Sequence, residues 1–512
     1  MISQSSLATL CLLALVHALP SQRPFEASNS KIVNEIEPLK HLSAISPFYV
    51  PTSEPDPLPQ GCSLETVSVL IRHSAILGND EEYEQTMGPF IEKLAKFDKE
   101  KLPRLGEWSF LRDWKSPLKE DELDELSERG KRDSKFLGKY FRKQYGSLFP
   151  DPKKHKGKGK PSYKVWTASS QRDIDSARSY ILGSFPAHQS GGKGEGDGDV
   201  VQLIKVPNKA KDWDRSLTPH KACDTFEKQS SLKPANQWLK VYAKGIKERL
   251  HSEIPHFARE LSDQDILAMQ MLCGYESIAT GSSPFCHVFT DSEWRDVEYY
   301  FDIRWYHAIG YGSHLSPYLG LPWVKTAAHL LEGKDADDSG HESVMFNGGS
   351  WMLSKSKLPG PRLPPNATHS QLLHPSFTHR ESPAFVAVFL NLYNSSSLAH
   401  PASEPLPLDH RVDDRAWRSS HLISFLGHVA LERFKCTGTE DTKPHGLLEE
   451  DYLIRPGSPS HSFVRAVVNG KAETMTGCED GPEGSCRWKT FRKFVDDRVE
   501  RWGDWESVCD KK

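Results

Sequence analysis

The stretch Thr66-Val67-Ser68-Val69-Leu70-Ile71-Arg72-His73-Ser74 decides how the chain is read. Thr66 to Ile71 is rich in β-branched and aliphatic side chains. Such a run predicts a strand buried on both faces, as when helices cover both sides of a sheet. Arg72 and His73 follow at its carboxyl end, and Gly78-Asn79-Asp80 soon breaks the run. In an open α/β sheet, ligands bind just outside the carboxyl ends of the strands, so an Arg-His pair there is placed to meet an anion.

Two further stretches support this reading. Tyr163 to Ala168 reads as a second strand that stops at Ser169-Ser170. Arg172 follows, and Asp173 to Phe185 has helical spacing through Ile174, Ala177, Ile181, Leu182 and Phe185. Far downstream, Phe377-Thr378-His379-Arg380-Glu381-Ser382-Pro383 precedes an apolar run from Ala384 to Tyr393. Ser382 as N-cap and Pro383 at the first helical position are the expected start signals. That helix would turn its positive end towards whatever His379 touches.

In this order the three stretches resemble the histidine acid phosphatases (histidine phosphatase superfamily, branch 2), most closely their fungal phytase-like members. That family carries Arg-His-Gly-x-Arg-x-Pro after its first strand, an Arg in a Ser-Gly-x-x-Arg-like turn, and a late His-Asp or His-x-Glu. The corresponding residues here are Arg72-His73-Ser74-Ala75-Ile76, Ser169-Ser170-Gln171-Arg172 and His379-Arg380-Glu381. The resemblance runs from about Cys62 to Cys509. It includes Ser283-Pro284-Phe285-Cys286, Asp291-Ser292-Glu293-Trp294 and Phe463 to Gly470.

The resemblance implies an α/β fold: a large domain with a mixed, mainly parallel central sheet flanked by helices, plus a smaller inserted, mostly α domain. The expected division is a signal peptide at 1–18, an N-terminal arm at 19–61, the α/β domain at 62–183 and 307–512, and the helical domain at 184–306. Within the last, Asn236 to His251 and Asp263 to Cys273 have helical spacing, and Thr290-Asp291-Ser292-Glu293 is a capping box. Ser419 to Lys435 and Phe463 to Val468 read as later strands, and Asn469-Gly470 as a hairpin turn.

Leu7 to Val16 is an apolar segment followed by the small-residue site Val16-His17-Ala18, the pattern of a secretory signal. It falls short of the roughly 20 residues that span a bilayer. A secreted, extracellular product without a membrane anchor is expected. Of nine cysteines, Cys11 lies in this segment, leaving eight. An even number in an exported chain suggests a disulfide framework, with on the order of a hundred possible pairings. The resemblance implies Cys62–Cys436, Cys223–Cys509, Cys273–Cys286 and Cys478–Cys486. The sequons at Asn366 and Asn394 agree with export and are expected to be glycosylated at the surface.

A net charge of −4 argues against a nucleic-acid surface, which needs a strongly basic domain. Lys153 to Lys160 reads as a solvated basic loop, with steering of anions as the alternative, and Gly191 to Asp199 as a flexible insertion. Asn79-Asp80-Glu81-Glu82 reads as the start of a helix facing solvent, with an acidic part of the substrate site, unfavourable to a highly charged phytate, as the alternative. Cys-x-x-Cys spacing is absent, so no metal and no cofactor are expected.

Phosphomonoester cleavage through a covalent intermediate needs a nucleophile, cations around the phosphoryl oxygens, and an acid for the leaving alkoxide. The resemblance gives these roles to His73, to Arg72, Arg172 and His379, and to Glu381. Two departures stand out. Ile76 occupies the position of the motif's second Arg, with Ser74 at its Gly, and Arg380 separates His379 from the carboxylate. Arg380 is a candidate to restore the lost charge, although by base rate such an Arg is a surface or ion-paired side chain. The leading expectation is a secreted acid phosphatase acting on small phosphorylated substrates such as phytate or other inositol phosphates. The alternative is an impaired relative that binds them without turnover. The Gly-x-Ser-x-Gly and His-Glu-x-x-His motifs of other hydrolases are absent.

Overall fold

The computed structural model describes residues 37–48, 55–149, 163–185, 201–206, 208, 215–332, 371–437 and 461–511. The expected signal segment, the Lys153–Lys160 and Gly191–Asp199 runs and Asn366 lie outside the described residues. The described strands are β1 (Cys62–Arg72), β2 (Tyr163–Ala168), β3 (Val201–Val206), β4 (Leu373–Thr378), β5 (His428–Cys436), β6 (His461–Val468), β7 (Lys471–Glu473) and β8 (Cys486–Arg487). They form one sheet in the order β3-β2-β4-β1-β5-β6-β7, with β8 also paired to β6.

Alternation along β1 explains its apolar sequence. Val67, Val69 and Ile71 enter a core on one face of the sheet, while Leu70 enters the core on the other. Both faces are covered, so both parities of the strand are buried from Thr66 to Arg72, including the polar Thr66, Ser68 and Arg72. The sheet is mixed, but it is not mainly parallel. The pairs β3–β2, β2–β4 and β4–β1 are parallel, whereas β5, β6, β7 and β8 join antiparallel. The parallel half carries the strand ends that matter for function.

The main helices are α1 (Gly88–Lys96), α2 (Glu128–Gln144), α3 (Gln171–Ser184), α4 (Leu232–Glu253), α5 (Asp263–Thr280), α6 (Asp291–Ile309), α7 (Ser316–Leu331), α8 (Glu381–Phe389) and α9 (Trp488–Trp502). Helices α2 and α3 lie on one face, where Phe141, Tyr180 and Phe377 share a core. They touch backbone to backbone: a Cβ on Gly183 would sit 2.0 Å from the Lys135 carbonyl oxygen. Helices α4 to α8 share the opposite core with Leu70, Trp166 and Leu431. The stretch 184–306 is helical from Pro219 onward, but it also contains β3, a strand of the main sheet.

Several local expectations need correction. Ser419–His421 is a single 3-10 turn, and the strand expected from Ser419 begins at His428. Helix α8 starts at Glu381 with Arg380 at the N-cap position. Ser382 is not the cap, because its hydroxyl donates to the Leu217 carbonyl at 2.6 Å. By contrast, the Thr290–Glu293 capping box forms as read. Asn469 and Gly470 take positive φ values of 50° and 88° in the β6–β7 hairpin, a conformation that Asn and Gly tolerate best. All four implied disulfides are present, and Cys62–Cys436 joins the start of β1 to the end of β5.

Candidate active site

Parallel register assembles the site. Arg72 lies opposite Thr378 across β1 and β4, so His73 and His379 leave the sheet side by side. The His73 backbone N–H donates to the Thr378 carbonyl at 2.8 Å, and the two imidazole centroids are 6.2 Å apart. Thr167 pairs with Phe377, which ends β2 at the same edge. Ser170 and Arg172, at the start of α3, therefore reach the same place. The three sequence motifs meet because three neighbouring parallel strands end together.

His73 is buried, and its Nδ1 lies 2.9 Å from the Ser74 carbonyl oxygen. A carbonyl can only accept, so Nδ1 carries the proton and Nε2 holds the lone pair. Burial, then the charges of Arg72, Arg172 and His379, hold this imidazole well below its usual pKa and keep it neutral. The Arg72 Nη1 donates to the carbonyls of Ala44 at 2.5 Å and Ile423 at 2.6 Å, and its guanidinium lies 4.2 Å from the Phe425 ring centre. Burial and the nearby Arg380 lower its pKa to about 9, which leaves it charged in acid. Arg172 pairs with Asp124 at 2.8 Å. His379 Nε2 lies 2.9 Å from Asp173 and 3.1 Å from the Ser170 hydroxyl.

A second group of charges closes the cleft. Arg380 is buried, not at the surface, and donates to Glu82 at 2.6 Å and to Asn79 at 3.3 Å. Glu82 also accepts from the Tyr275 hydroxyl at 2.6 Å and faces Arg304 at 3.8 Å. The Asn79–Glu82 run does start a helix, with Asn79 as its N-cap and Asp80 exposed, but it also faces the cleft. Asn79, Asp80 and Glu81 line the cleft and Glu82 is buried beneath it. Ile76 lines the same cleft and forms a short bridge with Leu126. The cavity, about 250 Å³, is bounded by Arg72, His73, Arg172, His379, Arg380 and Glu381, with Lys221 and Lys228 at its side.

Glu381 is buried in an ion pair with Lys228, with His220 at 3.6 Å and Arg380 at 3.8 Å. Burial opposes its ionisation, but Lys228 foremost, with Arg380, holds the carboxyl well below the usual range, while burial holds His220 well below its ordinary pKa and keeps it neutral. Lys228, His220, Asp124 and Asp173 have no motif signature and were not singled out from the sequence. The only sequence cue is that His220 and Lys228 flank Cys223. Ligand atoms of His220, His379 and Glu381 lie within 4.8 Å of one another, a spacing that could hold a cation. The ammonium of Lys228 already fills that electrostatic role against Glu381.

The model of the histidine phosphatase superfamily (branch 2) matches residues 63–469. The chain belongs to that superfamily. Among its branch 2 relatives, an acid phosphatase of Schizosaccharomyces pombe is 22% identical, covering 87% of this chain and 83% of the relative. Phytase A of Penicillium oxalicum is 22% identical, over 90% of this chain and 89% of that enzyme. The crystal structure of the phytase from D. castellii superposes with a TM-score of 0.67 at 18% identity, covering 94% of this chain and 88% of that one. A multiple inositol polyphosphate phosphatase of Bifidobacterium longum, solved with inositol hexasulfate, gives 0.57 at 12% identity, covering 89% and 97%. These structural likenesses show a shared fold.

Proposed function

We propose that this protein hydrolyses phosphomonoesters as an acid phosphatase of the phytase-like kind. The observation that carries the proposal is His73. It is a buried, neutral imidazole with Nδ1 tied to a carbonyl, beside Arg72, Arg172 and Arg380 in one cleft. Its Nε2 attacks phosphorus while the guanidinium groups bear the charge on the phosphoryl oxygens, a task suited to their planar, permanently charged forks. The P–O bond to the substrate breaks as the N–P bond forms, and the leaving alkoxide takes a proton from the carboxyl of Glu381. Water then attacks the phosphohistidine, Glu381 takes the water's proton, and phosphate leaves with His73 restored.

In this scheme Arg380 supplies the positive charge that Ile76 cannot, and His379 donates to a phosphoryl oxygen. The relatives named as phytases support small, highly phosphorylated substrates, inositol phosphates among them. Four disulfides and the sequon at Asn394 support export, and no described helix is long and apolar enough to cross a membrane. Helices α4 to α6 are the core of the proposed smaller helical domain. A second reading, ligand binding without turnover, is favoured by Ile76 and by the ion pair that keeps Glu381 charged.

The test is hydrolysis of p-nitrophenyl phosphate and phytate between pH 3 and 7, with His73→Ala alongside. Wild type is expected to turn over both and to yield an alkali-quenched, acid-labile phosphoenzyme that His73→Ala lacks. A well-folded wild type without turnover, but with its melting temperature raised by inositol hexakisphosphate, would establish the second reading.

A further inference from the structure

The segment from Leu217 to Gln229 was invisible to motif reading, yet it is built into the site. The Leu217 carbonyl accepts from the hydroxyls of Thr378 and Ser382, at the junction of β4 and α8. Cys223 is bonded to Cys509, and Thr225 donates its hydroxyl to the Val508 carbonyl at 2.5 Å. At the far end the Gln229 side chain donates to Glu81 at 2.6 Å, on the rim of the cleft. Between these anchors Lys228 projects onto Glu381.

The charged and titratable groups facing Glu381 come from two places. Lys228 and His220 come from this segment, and Arg380 and His379 from its own strand–helix junction. The last two have carboxylates of their own: Arg380 pairs with Glu82 and His379 with Asp173. Among the described residues the His220 ring nitrogens have no hydrogen-bond partner, and its Nε2 is 3.6 Å from Glu381, too far for a hydrogen bond. Lys228 thus stands apart, because its ion pair is made with Glu381 itself.

We propose that Lys228 is a positioning residue that keeps Glu381 ionised in the empty cleft and transfers its contact to an oxygen of the substrate phosphate when the cleft fills. The inference rests on Glu381 being the acid–base group. Lys228 lines the cleft and is a quarter exposed, so its ammonium can swing from carboxylate to phosphate without unfolding its segment. The exchange leaves Glu381 without its nearest cation as a dianion arrives, and both changes favour proton uptake from water. The proton then goes to the leaving oxygen. Acid is loaded where substrate is present.

The test compares wild type, Lys228→Met and Lys228→Arg on glycerol 2-phosphate and p-nitrophenyl phosphate from pH 3 to 8. An opposite charge in contact typically lowers a carboxyl pKa by about 1–3 units. Lys228→Met should therefore move the basic limb of kcat/KM, which reports the free enzyme, upward by about one unit or more. The limb of kcat should move less, and Lys228→Arg should restore the wild-type profile. If Lys228→Met lowers kcat/KM equally at every pH, Lys228 only binds substrate charge and the inference falls. Glu381→Gln separates the parent reading, since an alkyl leaving group needs an acid more than nitrophenolate does. Equal losses on both substrates would remove Glu381 as the acid. A selective loss on glycerol 2-phosphate with an unmoved Lys228→Met limb would overturn only the role of Lys228. Should Lys228→Met fold poorly, Lys228→Gln provides the same charge deletion with a polar end.

Discussion

Replacing Arg380 tests whether a cation from the His379 motif compensates for Ile76. The residue is 6% exposed, and its guanidinium donates to Glu82 at 2.6 Å and lies 4.9 Å from the Trp305 ring centre. Glu82 is 3% exposed; burial opposes its charge, and Arg380 with Arg304 overcomes that opposition. Arg380→Met leaves Glu82 with only Arg304 at 3.8 Å and the Tyr275 hydroxyl among the partners described above. Breaking a buried pair costs about 3–5 kcal/mol, and the surviving partners put the expected loss near ~3 kcal/mol. Losing a donor to the transition state typically costs about 10²–10³ in rate, or roughly 2.7–4 kcal/mol. The two effects are similar in size, so the single variant cannot separate them. Arg380→Met with Glu82→Gln removes both charges. It should recover stability to within about 1 kcal/mol, because a matched pair is then replaced by neutral groups. Its p-nitrophenyl phosphate rate should stay about 10²-fold or more below wild type. Urea unfolding and initial rates at pH 5 provide the two readouts. Return of wild-type turnover in the double variant would refute a role for Arg380 in phosphate binding and leave it as the counter-ion of Glu82.

Further expectations concern stability. Burial pushes Glu276 up to about 7, against the lowering effect of its hydrogen bonds from Ser283 and Trp114. A carboxyl with a raised folded-state pKa contributes a penalty that grows as pH rises from about 4.5 to about 7, amounting to on the order of 3 kcal/mol. Glu276→Gln should therefore raise the melting temperature at pH 8 and leave it nearly unchanged at pH 4; equal effects at both would contradict the assignment. Replacing both Cys62 and Cys436 by Ala opens a bridge spanning 374 residues. Denaturant unfolding should show roughly 6 kcal/mol of lost stability, the chain-entropy value for a loop of that length. A loss under about 1 kcal/mol would mean that β1–β5 pairing alone closes that loop.

Much of the site was legible because the chemistry sits at element boundaries. Apolar, β-branched runs ending at Arg72-His73 and at Ser169-Ser170 mark strand ends, and strand ends of a parallel sheet converge. The strand that leads to His379, Leu373–Thr378, contains His374, Pro375 and Ser376 and gives no such signal. The Asn469-Gly470 turn and the Thr290–Glu293 box were equally local and formed as expected. Errors arose where a side chain's partner lies far away in the chain. Ser382 has the composition of an N-cap, but its hydroxyl is taken by Leu217, 165 residues earlier. Asn79 to Glu82 has the composition of a solvated helix start, but Arg380 draws Glu82 inward from 298 residues away.

The sequence alone determined that this chain builds a helix-covered sheet, ends two of its strands in Arg-His and Ser-Ser, and sets His-Arg-Glu at the start of a helix. Periodicity and turn chemistry are properties of neighbouring residues, so they survive without coordinates. Tertiary structure decided which charges meet: Arg380 turned onto Glu82, Lys228 onto Glu381, and Asp173 behind His379. Coulomb energies depend on distance in space and on exclusion of water, and neither can be read from separation along the chain.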